Sequence, residues 1–337
     1  MESGNVLEIK NLKVRFDTEN GSVQAVDGLD LQIHAGESVG IVGESGSGKS
    51  ISALSILRLV PDPPGHIEDG EILYRGRNLL DLPERDMQRI RGNRISMIFQ
   101  EPLTSLNPVL TIRRQMTEGL MVHKNLSRRE AGLEAAKLLA MVGISDAEER
   151  LDHYPHQFSG GMLQRILIAM GMACQPEVLI ADEPTTALDV TVQAQIMELL
   201  DSMRREYGTS LIIITHNLGL VARYVDWVNV MYAGRVVESA PVKELFEHPL
   251  HPYTIGLLRS IPRLDAESGA PLHGIPGRVV NVLPGYQGCR FAERCGHVKP
   301  ECREQCPELA EILPGHFCAC LREAVPAEEK DSAGQKR

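Results

Sequence analysis

The sequence GESGSGKS at residues 43–50 restricts the possible folds of this chain more than any other feature. It fits the pattern G-x-x-x-x-G-K-[ST], in which glycines let successive backbone N–H groups turn inward around a phosphate. Residues 39–42 before it form a short apolar strand pattern, and residues 49–59 after it have a helical pattern. A strand, a glycine-rich loop and a helix in this order are the context that a phosphate-binding loop requires. A glycine-rich turn that binds nothing is the less favoured interpretation.

The residues of this loop have separate expected tasks. Lys49 is expected to reach the β- and γ-phosphate oxygens, and the Ser50 hydroxyl to bind Mg²⁺. The start of the following helix adds the positive end of its dipole at the same anion. The predicted nucleotide contacts of the loop are Gly43, Ser45, Gly46, Ser47, Gly48, Lys49 and Ser50.

A second acidic element follows the apolar run at residues 178–181, which ends in Asp182 and Glu183. Asp182 can hold Mg²⁺ through water, and Glu183 can polarise the attacking water. In-line phosphoryl transfer depends above all on positioning and charge compensation, which these residues, Lys49 and the metal would supply. Two acids after a strand usually begin a solvated loop, but the phosphate loop in the same chain favours the catalytic interpretation.

The rest of the pattern predicts an α/β protein. Residues 6–16 alternate apolar and polar, as in an edge strand, and residues 29–33 repeat that pattern. After Pro176, apolar runs alternate with helical patterns, which indicates a parallel sheet covered on both faces. From about Pro262 the chain is rich in Pro, Gly and Cys, which predicts a small C-terminal domain. The predicted divisions are 1–260, with a helical subdomain at about 101–175, then 261–325, and a disordered tail at 326–337.

Composition and charge exclude some classes of function. The net charge is −10 without a long basic run, which argues against a partner made of nucleic acid. A membrane-spanning helix needs about 20 apolar residues, and the longest apolar run, near residues 166–174, is about half as long. The polar N-terminus does not resemble a secretory signal. We expect a cytoplasmic protein whose membrane association depends on partner proteins.

Residues 158–162, FSGGM, resemble the signature motif of ABC ATPases, whose common form is LSGGQ. Ser159, Gly160 and Gly161 are retained, whereas Phe and Met replace the first and fifth positions. A serine hydroxyl, glycine N–H groups and a helix start form an anion site. The resemblance implies that this site faces the γ-phosphate of an ATP held by the phosphate loop of a second subunit. One loop and one signature per chain therefore imply a dimer.

Further elements of that family occur in the expected order over residues 5–255. The resemblance implies that Gln100 contacts Mg²⁺ and the attacking water, and that His216 contacts the γ-phosphate. It places Asp189 in the D-loop at the dimer interface, and Phe16 against the adenine. It implies a P-loop (RecA-like) ABC ATPase core with an antiparallel β subdomain and a helical subdomain, plus a small Cys-rich C-terminal domain. A lone histidine or aromatic residue at a strand end is more often structural, but the order of all these elements favours the functional roles.

Several stretches resemble the oligopeptide/dipeptide (peptide/nickel) importer branch, and dipeptide importers in particular. They are EPLTSLNP at 101–108, YPH at 154–156, DEPTTALDVTVQ at 182–193 and HPYT at 251–254. The resemblance implies an ATPase that drives di- or oligopeptide uptake, with nickel or glutathione uptake as alternatives. It also implies a related ATPase partner in a heterodimer, two membrane permease subunits, an extracytoplasmic substrate-binding protein, and a peripheral location on the cytoplasmic face of the inner membrane. The rival classes are a soluble ABC ATPase that acts on DNA or ribosomes and a metal-cluster sensor that uses ATP as a regulatory ligand.

Six of the seven cysteines lie between Cys289 and Cys320. In a cytosolic chain such clustering indicates a metal site. The stretch resembles the C-terminal domain of oligopeptide and dipeptide importer ATPases, some of which carry a [4Fe–4S] cluster. The resemblance implies Cys289, Cys295, Cys302 and Cys320 as its ligands, with Cys306 and Cys318 as spares. A Zn²⁺ site with the same donors and buried thiols without metal remain open.

Overall fold

Two β-sheets and a group of helices make up the fold. The structure is a computed structural model that describes residues 4–19, 21–186, 188–261, 274–280 and 282–321. The described strands are β1 Asn5–Thr18, β2 Gly21–His34, β3 Ser38–Val42, β4 Gly65–Tyr74, β5 Arg77–Asn78, β6 Ile95–Ile98, β7 Val178–Asp182, β8 Ser210–Thr215, β9 Trp227–Tyr232, β10 Arg235–Pro241, β11 Ala310–Leu313 and β12 His316–Cys318.

The helices cover both faces of the larger sheet and include a separate helical group between β6 and β7. They are α1 Lys49–Ile56, α2 Glu84–Ile90, α3 Pro102–Ser105, α4 Ile112–Lys124, α5 Arg128–Met141, α6 Ala147–Arg150, α7 Gly160–Met172, α8 Val190–Tyr207, α9 Leu218–Tyr224, α10 Val242–Glu247, α11 Pro252–Arg259 and α12 Glu301–Glu304. Helices α3 to α7 occupy the range predicted for the helical subdomain. None of the helices in the described ranges is both long and apolar enough to cross a membrane.

The smaller sheet is antiparallel, with the strand order β2-β1-β4-β5. Strand β1 pairs with β2 on one side and with β4 on the other. The interpretation of residues 6–16 as an edge strand was therefore wrong. Alternating apolar and polar residues indicate that one face of a strand is buried. They do not indicate whether the strand pairs with a neighbour on one side or on both.

The larger sheet has the order β11-β12-β10-β9-β3-β8-β7-β6 among the described strands. Strands β6, β7, β8, β3 and β9 are parallel to one another, whereas β10 pairs antiparallel with β9. The two faces pack into different cores, since Val178 and Ile180 lie in one cluster, and Leu179 and Ala181 in the other. Continuous apolar strands such as SLIIIT of β8 are typical of a parallel sheet buried on both faces. The predicted α/β arrangement is thus confirmed.

The cysteine-rich stretch adds strands to this same sheet. β12 pairs antiparallel with β10, and β11 pairs with β12. A separate cysteine-rich domain is therefore not supported by the described residues, because the stretch shares backbone hydrogen bonds with the larger sheet. Residues 262–273 at the predicted domain boundary and the predicted tail at 326–337 lie outside the described residues.

A buried carboxylate and a buried imidazole join the last strand to the main sheet. Glu238 on β10 and His316 on β12 are both fully buried, and His316 Nε2 lies 2.8 Å from Glu238 Oε1. The backbone N–H groups of Leu250 and His251 also donate to this carboxylate, at 2.7 and 2.9 Å. Burial lowers the pKa of His251 to about 4, although Glu238 opposes that effect. The carboxylate thus connects three segments of the chain.

We predict that His316→Ala lowers the free energy of unfolding by about 2–3 kcal/mol, because it removes one partner of a buried hydrogen-bonded pair. Urea denaturation followed by circular dichroism measures this change. The control is His248→Ala, which removes a half-exposed imidazole from Glu244 and should change stability by about 0.5 kcal/mol or less. An equal effect of the two substitutions would contradict the structural role of the buried pair.

Candidate active site

The loop between β3 and α1 has two glycines that no other residue could replace without movement of the backbone. A Cβ atom added to Gly43 would lie 2.2 Å from the carbonyl oxygen of Met231. At Gly48, where φ is +99°, a Cβ atom would lie 2.5 Å from the carbonyl oxygen of Ala25. The loop therefore lies directly against β2 and the end of β9. Its curvature is the one that a phosphate cradle requires.

Lys49 is buried within this loop. Its Nζ donates to the carbonyl oxygens of Gly43 and Glu44, each at 2.8 Å, and to Ser47 Oγ at 3.3 Å. Burial lowers the pKa of Lys49, while the nearby carboxylates of Glu183, Asp182 and Glu44 act in the opposite direction. Hydrogen bonds to the loop therefore hold the ammonium group in place.

Two of the three residues predicted to contact Mg²⁺, Ser50 and Asp182, are in contact with each other. Ser50 Oγ donates to Asp182 Oδ1 at 3.1 Å. Burial raises the pKa of Asp182, and Glu183 adds to this, whereas Ser50 and Lys49 act against it. Mg²⁺ prefers oxygen ligands and is usually bound by one or two carboxylates, waters and substrate phosphates. One hydroxyl and one carboxylate beside a phosphate loop fit that donor set.

The side chains of two predicted catalytic residues, Gln100 and His216, contact Glu183. Its carboxylate accepts hydrogen bonds from Gln100 Nε2 at 3.0 Å and from Thr186 Oγ1 at 2.7 Å. His216 Nδ1 lies 3.0 Å from the other carboxylate oxygen. Gln100 follows β6, Glu183 follows β7 and His216 follows β8, which are neighbours in the sheet. The carboxyl ends of parallel strands meet at one edge, which explains why residues so distant in sequence come together.

The surroundings of Glu183 favour its ionised form. Burial alone would raise its pKa, but the hydrogen bonds from His216 and Thr186 and the charge of Lys49 outweigh burial and lower it. Hydrogen bonds to a carboxylate stabilise the charged form. Glu183 can therefore accept a hydrogen bond from a water molecule at neutral pH, as a catalytic base must.

Ser159, the predicted signature serine, caps the start of α7. Its Oγ accepts a hydrogen bond from the N–H of Met162 at 3.4 Å, and Ser159 and Gly160 are both exposed. Asp189 caps α8 in the same way, with its Oδ1 2.9 Å from the N–H of Val192. The two helix starts lie together, since a Cβ on Gly161 would be 3.1 Å from the Val192 side chain. The signature and the D-loop thus form one exposed surface, although Ala187 within the D-loop lies outside the described residues.

Phe16, the predicted adenine contact, lies near the end of β1. It is half-buried and pairs in register with Val23 on β2 and Gly65 on β4. A Cβ atom added to Gly65 would lie 2.9 Å from the Phe16 ring. The ring thus packs across a glycine at the margin of the smaller sheet, and its contact with adenine remains a prediction.

Comparison with known proteins agrees with this geometry. Residues 26–186 match the family described as ABC transporter, and residues 237–302 match the family described as oligopeptide/dipeptide transporter, C-terminal region. A probable peptide ABC transporter ATP-binding protein of Sinorhizobium fredii is 50% identical over 94% of this chain and 95% of its own length. The chain belongs to the ABC transporter ATP-binding protein family. This conclusion confirms the family predicted from the sequence motifs.

Two further proteins show how far this similarity extends. The oligopeptide transport ATP-binding protein OppD of Escherichia coli is 48% identical over 96% of this chain and 94% of its own length. A solved ATP-binding cassette, described as a dimeric post-hydrolysis state with ADP and phosphate bound, is 28% identical with a TM-score of 0.63. It covers 70% of this chain and 98% of its own length, so this ABC ATPase has residues beyond that cassette.

Two sets of hydrogen bonds at the site of this ABC ATPase could not be predicted from the sequence motifs. Thr186 lies inside the DEPTTALDVTVQ stretch, yet only the structure reveals its hydrogen bond to Glu183, the predicted base. Glu44, at a variable position of the phosphate loop, is held by Tyr253 and Arg294. The HPYT stretch pointed to Tyr253, but no sequence motif pointed to Arg294, because 250 residues separate it from its partner.

The four cysteines predicted as metal ligands line one cavity of about 20 Å³, together with His251, Phe291 and other residues. Burial raises the pKa of Cys289 to about 11, and Cys302, Cys320 and Cys295 add to this effect. The two predicted spares lie elsewhere: Cys306 Sγ is 2.9 Å from Arg235, and Cys318 is buried in β12. However, no group of three or more His, Cys, Asp or Glu side chains among the described residues is placed to hold a metal ion.

We predict that Glu183→Gln lowers the rate of ATP hydrolysis by about 10²–10⁴-fold, because the amide cannot act as a base. The affinity for ATP should be retained, since Lys49 and the phosphate loop are unchanged. Steady-state phosphate release and nucleotide titration measure the two effects separately. The control is Glu206→Gln on the exposed side of α8. Hydrolysis at the wild-type rate in Glu183→Gln would exclude Glu183 as the base.

We also predict that Thr186→Val moves the acid limb of the pH–rate profile to higher pH. The hydrogen bond from Thr186 lowers the pKa of Glu183, so its loss raises that pKa, and the base becomes protonated at a higher pH. Single-turnover hydrolysis measured across the acid range tests this, and Thr186→Ser, which keeps the hydroxyl, should restore the wild-type profile. An unchanged acid limb in Thr186→Val would contradict the prediction.

Proposed function

We propose that this chain is the ATP-hydrolysing subunit of an ABC importer that takes up di- or oligopeptides across the cytoplasmic membrane. The observation that carries the proposal is the convergence of Gln100, Thr186 and His216 on Glu183 beside the phosphate loop. Hydrolysis requires an ionised base at this place, and a protein that only bound ATP would not need one. The similar proteins from Sinorhizobium fredii and Escherichia coli are described as peptide and oligopeptide transport proteins, which supports the substrate class.

The chemistry assigns a separate task to each residue. The backbone N–H groups of the phosphate loop and Lys49 hold the β- and γ-phosphates. Ser50, Asp182 and Gln100 are the proposed Mg²⁺ contacts, and the ion compensates charge on the phosphate oxygens. Glu183 accepts a hydrogen bond from the attacking water. Gln100 and His216, which contact Glu183, orient the water and the γ-phosphate.

A second ATPase subunit would complete the site. Ser159 and Gly160 are exposed on this chain, and we propose that they bind the γ-phosphate held by the partner's phosphate loop. ATP then favours a closed pair because it contacts both subunits only in the closed state, and hydrolysis removes that link. A related but distinct ATPase is the expected partner. The similar solved cassettes are described as dimeric, which supports the pairing.

The segment after Gln100 is the proposed contact with the permeases. Leu103 on α3 is 68% exposed, and Val109 in the following loop is 76% exposed. Gln115 on α4 fixes this loop, since its side chain bonds the backbone of Asn107 and Leu110. These two side chains are available for contact with another protein. Together with the similarity to peptide transport ATP-binding proteins, this supports our inference that the chain works at the cytoplasmic face of the membrane with two permease subunits and an extracytoplasmic binding protein.

Reconstitution of the complete importer in proteoliposomes tests this function. ATP hydrolysis should rise when a binding protein loaded with a di- or oligopeptide is added on the extracytoplasmic side. Empty binding protein is the control. Stimulation by nickel or glutathione instead of peptides would overturn the substrate assignment. Failure of the chain to purify with any membrane subunit would overturn the transport function itself and favour a soluble ABC ATPase.

The cysteine-lined cavity is the proposed site of a metal group. Four thiols facing one cavity are the donor set of a [4Fe–4S] cluster, and also of a structural Zn²⁺ ion. The cavity of about 20 Å³ has room for roughly one water molecule, which is less than a cluster would fill. We propose that Cys289, Cys295, Cys302 and Cys320 hold a [4Fe–4S] cluster with a structural role, and Zn²⁺ is the alternative.

Metal analysis of anaerobically purified protein distinguishes these cases. The proposal predicts about four irons per chain, with a brown colour that Cys302→Ser removes. Cys306→Ser is the matched control, because this thiol contacts Arg235 outside the cavity, and its iron content should equal that of the wild type. Zinc without iron would support the Zn²⁺ site. The absence of both metals would leave the four cysteines as buried thiols.

A further inference from the structure

Glu44 is held at three points. It follows the first glycine of the phosphate loop, and its carbonyl oxygen accepts a hydrogen bond from Lys49 Nζ at 2.8 Å. Its backbone N–H donates to the hydroxyl of Tyr253 at 2.9 Å. Its carboxylate accepts two hydrogen bonds from Arg294, at 2.6 and 3.0 Å. Two of these three points therefore come from residues more than 200 positions further along the chain.

Arg294 is held rigidly at this place. Its side chain is only 4% exposed, and its Nε donates to the carbonyl oxygen of Pro276 at 2.8 Å. Its guanidinium carbon lies 5.7 Å from the centre of the Tyr232 ring and 6.0 Å from that of Phe291. The hydrogen bonds to Glu44 raise the pKa of Arg294 most, although burial opposes them. A fork–fork pair between a buried arginine and a half-buried carboxylate fixes the orientation of both groups.

A second link joins the other side of the loop to the same segment. The N–H of Gly234 donates to the carbonyl oxygen of Ser47 at 2.9 Å. Arg290 donates to the carbonyl oxygen of the preceding Ala233 and also pairs with Asp27 on β2. The turn between β9 and β10 is thus fixed between the phosphate loop and Arg290.

The linking residues lie outside the first family match. Tyr253, Arg290 and Arg294 all fall within residues 237–302, the part that matches the oligopeptide/dipeptide transporter C-terminal region. Phe291, between the two arginines, lines the cysteine cavity and also contacts Tyr232 and Tyr253, with ring centres 5.2 and 5.4 Å apart. A continuous set of packed residues therefore connects the cysteine-rich segment to the phosphate loop.

We propose that Arg294, together with Tyr253, is a positioning residue for nucleotide binding, which holds Glu44 and thereby the Lys49 end of the phosphate loop. The proposal rests on the proposed function only in that the loop binds ATP. Arg294 has two effects there. Its two hydrogen bonds fix the backbone that surrounds the phosphate, and its charge compensates a carboxylate that would otherwise repel the triphosphate. The C-terminal segment thus contributes to ATP affinity without touching the nucleotide.

Titration of the full-length chain with a fluorescent ATP analogue tests the proposal. Arg294→Met should raise the Kd by about tenfold, within the range usual for energetic coupling between sites. Tyr253→Phe keeps the ring but removes the hydroxyl, and it should raise the Kd by about threefold. In the reconstituted importer the KM for ATP should rise by a larger factor than kcat falls. The matched control is Arg303→Met in the same segment, whose exposed guanidinium pairs with Glu293 and whose Kd should not change.

A double variant separates positioning from general loss of structure. Glu44→Gln removes the negative charge that Arg294 compensates, so Arg294→Met/Glu44→Gln should bind ATP more tightly than Arg294→Met alone. A purely structural role would give additive losses instead. If Arg294→Met does not fold, as judged by thermal unfolding, Arg294→Lys and Tyr253→Phe provide the test. Arg294→Lys keeps the charge but loses the two parallel hydrogen bonds, and it should also raise the Kd.

The titration distinguishes a wrong positioning role for Arg294 from a wrong proposed function. Folded Arg294→Met and Tyr253→Phe variants with the wild-type Kd would overturn the positioning role and leave the ATPase assignment intact. If Arg294→Met does not fold, a wild-type Kd in folded Arg294→Lys and Tyr253→Phe would overturn it equally. Wild-type protein that does not bind the nucleotide would overturn the proposed function first.

Discussion

The close approach of the phosphate loop to neighbouring backbone is the constraint on which the rest of this structure depends. A loop that surrounds a triphosphate must turn its N–H groups inward, and at Gly43 and Gly48 it passes too near the carbonyl oxygens of Met231 and Ala25 to carry a Cβ atom. The end of β9 and part of β2 therefore belong to the cradle. The loop can keep this shape only if both sheets are in place, so the core and the site form together.

The parallel order of the sheet then determines the chemistry. Because β6, β7 and β8 are neighbours, their carboxyl ends bring Gln100, Glu183 and His216 to one place. The two adjacent acids differ in environment: burial raises the pKa of Asp182, whereas hydrogen bonds lower that of Glu183. Such opposed shifts in neighbouring carboxyl groups indicate separate roles. They agree with a metal contact for Asp182 and a base for Glu183.

The sequence predicted those features that depend on local order. The strand, loop and helix around Lys49, and the residues that follow apolar strands, could be identified because motif spacing and strand ends are local properties. Strand pairing and long-range ion pairs could not be identified in the same way. Alternation in β1 did not show that it lies between two strands, composition did not show that β12 pairs with β10, and no spacing joins Glu44 to Arg294. These contacts depend on how the whole chain folds.

Ser159, the predicted signature serine, is exposed on this chain. Its exposure leads to the central claim that ATP is held between the phosphate loop of one subunit and Ser159 of another. The most direct test measures ATP hydrolysis against protein concentration, for the chain alone and with its partner ATPase, in the wild type and in Ser159→Arg. The account predicts that specific activity rises with the concentration of the pair. It also predicts that Ser159→Arg abolishes hydrolysis at the partner's phosphate loop, while ATP binding to the loop of its own chain is retained. Full activity in a monomer at every concentration, unaffected by Ser159→Arg, would contradict the account.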